Sequence, residues 1–140
     1  MHIDGGCHCG YIQYEAEIDP AKVGICHCTD CQQLTGSVYR VTVPATKDNF
    51  KLLKGDPKIY IKKADSGVKR AHGFCPECGT PIFATSVTNR EVYGVRVGTV
   101  RQRAQLPPQR QAWCRSKLEW ASNIEALPQF DKSEIGRAHV

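Results

Sequence analysis

The sequence predicts a mainly β fold, built of short strands in sheets with little helix. Segments rich in β-branched and aromatic residues recur between Gly, Pro and Asp turn signals, and helical periodicity is scarce. Seven of the 8 cysteines fall in three close-spaced groups, the spacing of metal ligands that would staple such sheets.

Taken in order, "YIQYEAEI" (11–18) alternates, with Ile12, Tyr14, Ala16 and Ile18 on one side and Gln13, Glu15 and Glu17 on the other. "VYRVTV" (38–43), "FKLL" (50–53), "KIYIKK" (58–63), "VKRAHGF" (68–74), "PIFATSV" (81–87) and "EVYGVRVG" (91–98) follow as strands, with "KGDP" and "ADSG" as turns between them. "TDCQQLT" (29–35) is the one helical segment, with Thr29 or Asp30 as its cap. In "QAWCRSKLEWASNIEAL" (111–127), Trp113, Lys117 and Trp120 have helical spacing, but Pro107 and Pro108 precede them; the segment reads as a short strand and a loop.

A chain of 140 residues is most simply one domain, expected over 1–130. Residues 131–140 are expected to form a tail. The final "EIGRAHV" (134–140) reads as translated sequencing adapter or a frayed polar end, and is excluded from fold reasoning. "MHIDGG" is not a secretory signal, and no apolar run reaches the roughly eighteen residues that span a bilayer. The expectation is a cytoplasmic protein with no membrane partner. A formal charge of +5 is too modest and scattered to predict nucleic-acid binding, although it would attract a small anion.

In a reducing compartment, cysteines at such spacing are metal ligands or reactive thiols before they are disulfides. The groups are Cys7-His8-Cys9, then Cys26-His27-Cys28 with Cys31, then Cys75-Pro76-Glu77-Cys78. "FCPECGT" is a zinc-knuckle sequence, with Gly79 allowing the backbone to curl around the thiolates. If Cys7 and Cys9 complete it, the result is a closed four-cysteine site, and Cys26, Cys28 and Cys31 form a second site one ligand short. The spacing leaves a second partition open, with Cys26, Cys28, Cys75 and Cys78 together and Cys7, Cys9 and Cys31 left over.

In this order, "GGCHCG", "CHCTDCQQLTGS" and "FCPECGTPIF" resemble the glutathione-dependent formaldehyde-activating enzyme family, over about Gly5 to Trp120. The resemblance implies an Mss4-like zinc fold of the β-tent type, with two zinc ions per chain. A structural zinc would sit on Cys7, Cys9, Cys75 and Cys78, and a catalytic zinc on Cys26, Cys28 and Cys31. It implies a carbon–sulfur lyase or synthase joining glutathione and formaldehyde as S-hydroxymethylglutathione, in formaldehyde detoxification. The chain departs from the family's pattern in the basic "VRQRAQ" after "VGT", and in Gln111, where His is frequent.

The chemistry of an open three-thiolate zinc agrees. Three thiolates leave the ion little Lewis acidity, so it suits a fourth soft ligand, a thiol held as thiolate, better than hydroxide. The natural reaction is addition of a small-molecule thiol to an aldehyde. The competing readings are a zinc-stapled module that binds nucleic acid or protein, and a zinc- or thiol-responsive sensor.

Around the cysteines, His8 and His27 read as exposed spacers, with a proton shuttle as the sharper alternative for His27. Asp30 is a helix cap or a ligand-orienting carboxylate. Thr35, Gly36 and Ser37 are a plain turn or a set of substrate donors. Arg96, Arg101, Arg103, Arg110 and Arg115 are a solvated face or a clamp for substrate carboxylates. Cys114 reads as a buried small hydrophobe, and Trp113 and Trp120 as core or pocket wall.

Overall fold

The computed structural model describes residues 1–133, so the reading of 134–140 lies outside the described residues. Ten strands and one α-helix follow in order among them. The strands before the helix are β1 (His2–Gly6), β2 (Gln13–Glu17) and β3 (Gly24–Cys26). After α1 (Thr29–Thr35) come β4 (Arg40–Thr46), β5 (Phe50–Lys54), β6 (Lys58–Lys63), β7 (Lys69–Phe74), β8 (Pro81–Ser86), β9 (Val92–Arg96) and β10 (Arg110–Ala112). The fold is mainly β, as the sequence predicts.

The strands form two sheets. One is antiparallel, in the order β1-β2-β5, and the other has seven strands in the order β10-β3-β4-β9-β8-β7-β6. In β2 the alternation holds: Tyr14 and Ala16 are buried, while Gln13 and Glu17 face water. The inner face of the small sheet packs on the seven-stranded sheet through Ile3, Tyr14, Ala16, Val43, Val95 and Phe83, all buried. Phe50 knits the two together, its ring centroid 5.5 Å from Tyr14, 4.9 Å from Tyr93 and 5.7 Å from Phe83. Offset and edge-on rings add about 0.5–1.5 kcal/mol per pair beyond their buried area.

Register decides what the other face of the large sheet carries. Cys26 lies opposite Arg40, Thr42 opposite Arg96, and Tyr60, His72 and Ala84 in one row across β6, β7 and β8. Paired residues project to the same face, so these side chains share the side away from Val43 and Val95. On this side lies α1, tied to β6 by an ion pair of 2.8 Å between Lys62 Nζ and Asp30 Oδ2.

The structure corrects several readings. The helix spans the expected residues, but its cap is Cys28, whose sulfur accepts from the Cys31 N–H; neither Thr29 nor Asp30 fills that position. The strand expected at 38–43 begins at Arg40 and runs to Thr46. The 111–127 segment gives its short strand in β10 and then three short 3-10 turns. Trp113 and Trp120 are 58% and 62% exposed, and Cys114 is exposed, so none is core. The reason is position: β10 adds only three exposed residues to the sheet edge beyond β3, and no second layer among the described residues covers residues 113–127.

Candidate metal centres

The thiols gather in two sets. Cys7, at the end of β1, and Cys9, in the turn before β2, meet Cys75 and Cys78 from the turn between β7 and β8; the four sulfurs lie within 4.8 Å of one another. Cys7 Sγ and Cys9 Sγ are 3.6 Å apart, and Cys9 Sγ and Cys75 Sγ 3.7 Å. A disulfide needs about 2.05 Å, whereas tetrahedral sulfurs about 2.3 Å from one ion stand about 3.8 Å apart. The spacing fits four ligands of one metal and not two disulfides.

Backbone donors point the same way. The N–H of Ile12 donates to Cys7 Sγ at 3.2 Å, and those of Glu77 and Cys78 to Cys75 Sγ at 3.4 and 3.5 Å. Such donors favour the charged thiolate. Gly79 takes the left-handed conformation (φ 80°) and closes the knuckle by donating to the Cys75 carbonyl at 2.9 Å.

The second set is Cys26, Cys28 and Cys31, with sulfurs within 4.8 Å of one another and each residue half-buried. Cys26 ends β3, while Cys28 caps α1 and Cys31 lies one turn in. The N–H of Cys31 donates to Cys28 Sγ at 3.3 Å. No carboxylate or imidazole of the described residues joins the three sulfurs. This donor set fits a soft ion such as zinc with one position left for an outside ligand.

His27 is not an exposed spacer. It is 2% exposed and turned away from the sulfurs, with Nε2 and Gln111 Oε1 2.8 Å apart. Its N–H donates to the Ala112 carbonyl at 3.0 Å, and its carbonyl accepts from Gln32 Nε2 at 2.8 Å. His27 and Gln111 thus lash the cysteine loop to β10. The sequence hid Gln111 in this role because it is 84 positions away and β10 carries no apolar signature. His8 is exposed, as expected. Thr35 closes the helix, its hydroxyl donating to the Cys31 carbonyl at 2.7 Å, and Gly36 then turns left-handed before Ser37.

Between α1 and the sheet lies a cavity of about 290 Å³, lined among others by Leu34, Arg40, Tyr60, His72, Phe83 and Arg96. Arg40 and Arg96 are only 5% and 8% exposed. The Nη1 of Arg96 donates to Thr42 Oγ1 at 3.1 Å, and its Nη2 to His72 Nδ1 at 3.3 Å. Burial, and then the charge of Arg40, pull the Arg96 guanidinium down to about 9, which leaves it charged at neutral pH. Burial, followed by the charges of Arg96, Arg40, Lys62 and Arg70, pushes His72 down to about 4. A neutral His72 is what the Arg96 hydrogen bond requires, since Nδ1 must accept.

Of the arginine run expected to clamp carboxylates, only Arg96 lines this cavity. Arg101 is 72% exposed and pairs with Asp4 at 2.9 Å, and Arg103, Arg110 and Arg115 are exposed. Arg40, outside that run, takes the second place.

Fold and thiol geometry together define a small, mainly β protein with two cysteine clusters able to hold metal ions. A family model described as "Glutathione-dependent formaldehyde-activating enzyme" matches residues 2–116, and the chain belongs to this family. Among solved structures it is similar to a crystal structure of a Rhodobacter sphaeroides protein from a structural genomics programme. That likeness has 22% identity and a TM-score of 0.61, covers 78% of this chain and 99% of the other, and bears on the fold alone. Among curated proteins none matches significantly. No helix of the described residues is long and apolar enough to cross a membrane.

Proposed function

We propose that the protein joins glutathione to formaldehyde at the Cys26–Cys28–Cys31 centre, giving S-hydroxymethylglutathione. The observation that carries this reading is the half-buried set of three sulfurs with no fourth protein ligand beside it among the described residues. The family match supports the two substrates. Cys7, Cys9, Cys75 and Cys78 are then the ligands of a structural zinc, and the chain carries two zinc ions.

A zinc ion bound by the three thiolates would keep an incoming thiol in its thiolate form, the nucleophilic state. The chain's contribution is placement. Cys26 is fixed by β3 and Cys28 and Cys31 by the first turn of α1, which holds the three sulfurs within 4.8 Å of one another. Formation of the carbon–sulfur bond breaks the carbonyl π bond of formaldehyde. The electron pair moves to oxygen, which takes up the proton lost by the thiol.

The test is exchange NMR on an equilibrium mixture of glutathione, formaldehyde and the hydroxymethyl adduct. Zinc-loaded protein should broaden the exchanging resonances by accelerating interconversion, and the Cys28→Ser variant should not. Equal rates with both proteins and with buffer would overturn the reading.

A further inference from the structure

The cleft beside the three cysteines holds two cations that the proposed chemistry does not use. Arg40 and Arg96 are each more than nine-tenths buried and share its wall. Among the described residues neither forms an ion pair with a carboxylate. The Nε of each is sealed from solvent without an acceptor, and Arg40 makes no side-chain hydrogen bond at all among these residues. Removing a cation from water without a partner costs several kcal/mol, and two side by side cost more through mutual repulsion. Buried charges of this kind are normally paired.

The negative groups that bear on Arg96 are Cys26 and Cys31 when ionised, and no carboxylate is among them. His72 offers Arg96 only a neutral acceptor and Thr42 only a hydroxyl. Lys62, the next cation on this side of the sheet, already has Asp30 at 2.8 Å, and Arg70 adds a further positive charge near His72. The register puts Arg40 directly across from Cys26 and Arg96 on the neighbouring strand. An anion seated on the two guanidiniums would lie on the same face of the sheet as Cys26.

We propose that Arg40 and Arg96 form a carboxylate subsite, which selects acidic thiols over neutral ones at the three-cysteine centre. The proposal rests on the thiol-binding reading for the identity of its ligand. A guanidinium takes a carboxylate through paired N–H donors, and a charge-assisted contact of this kind in a desolvated wall distinguishes an acid from its ester. The apolar lining of Leu34, Phe74 and Phe83 leaves the rest of such a ligand to ordinary packing. Arg40 and Arg96 are positioning residues here and transfer no proton.

The experiment is calorimetric titration of zinc-loaded protein with S-methylglutathione, whose sulfur cannot react, and with its diethyl ester. Wild-type protein should bind the acid at least about tenfold more tightly than the ester. Arg40→Gln and Arg96→Gln should each lose most of that difference while keeping the wild-type circular dichroism spectrum. Equal affinity of wild-type protein for acid and ester, or no saturable binding of the acid at millimolar concentration, would overturn the proposal; this arm holds even if a variant fails to fold. Neither readout involves formaldehyde or turnover. Selective binding without accelerated exchange would defeat the enzymatic reading alone, and accelerated exchange without selectivity would defeat the subsite alone.

Discussion

Cys28 joins two roles at one position. Its sulfur caps α1 by accepting the Cys31 N–H, and it belongs to the three-thiol set. Serine is a good N-cap, so Cys28→Ser should keep the helix end and remove only the metal ligand. The expected result is a melting temperature within a few degrees of wild type with no acceleration of thiol–aldehyde exchange. His72 gives a pH prediction. Its pKa falls from 6.5 in the unfolded chain to about 4 in the fold, so the unfolded state binds the extra proton first. Stability from this group is full above about pH 6.5, declines as pH falls, and is gone below about 4. His72→Gln, which keeps an acceptor for Arg96, should flatten the denaturation midpoint over that window relative to wild type. At this scale the sequence was uneven. The cysteine groups were legible because ligand spacing is local, whereas "VYRVTV" gave no sign that Arg40 points into a cleft, since that depends on its register with Cys26 and on α1 above it.

At the level of elements, legibility followed the strength of the alternation. "KIYIKK" lies between two turn signals and forms β6 over the expected residues. β1 escaped notice because "HIDGG" ends in two glycines, and β3 because three residues carry no period. Those short strands hold only through their neighbours. The four-cysteine set shows the same dependence, for it joins the β1–β2 turn to the β7–β8 turn across the two sheets. Metal binding at such a site is folding energy, on the order of 10 kcal/mol or more. Cys75→Ser is therefore expected to lose the near-ultraviolet dichroism and the cooperative melt that Cys28→Ser retains. Similar unfolding by both variants would argue against separate roles for the two sets.

For the molecule as a whole, two thiol sets imply a metal count. Mass spectrometry of metal in purified protein should find about two zinc ions per chain in wild type and about one in Cys28→Ser. A chelator should remove the metal of the half-buried three-cysteine set first and leave the fold in place, then unfold the protein as the four-cysteine set empties. One release step with simultaneous unfolding would contradict this order. The two-sheet architecture could be expected from the recurrence of short strands. Which strands sit at the margins could not, because nothing in the sequence announces that "RQA" pairs in parallel with "GIC".

That parallel pairing has a consequence for solubility. A seven-stranded sheet has two open margins where unpaired N–H and C=O groups invite another chain to add a strand. On β6 the margin is guarded by Lys58 and Lys63, whose charges repel a second copy. The opposite margin would be β3, whose "GIC" has no charge to guard it, were it not covered by β10. A chain ending at Gln109 would bare that strand, and on size-exclusion chromatography it should run as aggregate where the longer protein does not. Three exposed, ordinary residues thus act as a cover against amyloid-like strand addition.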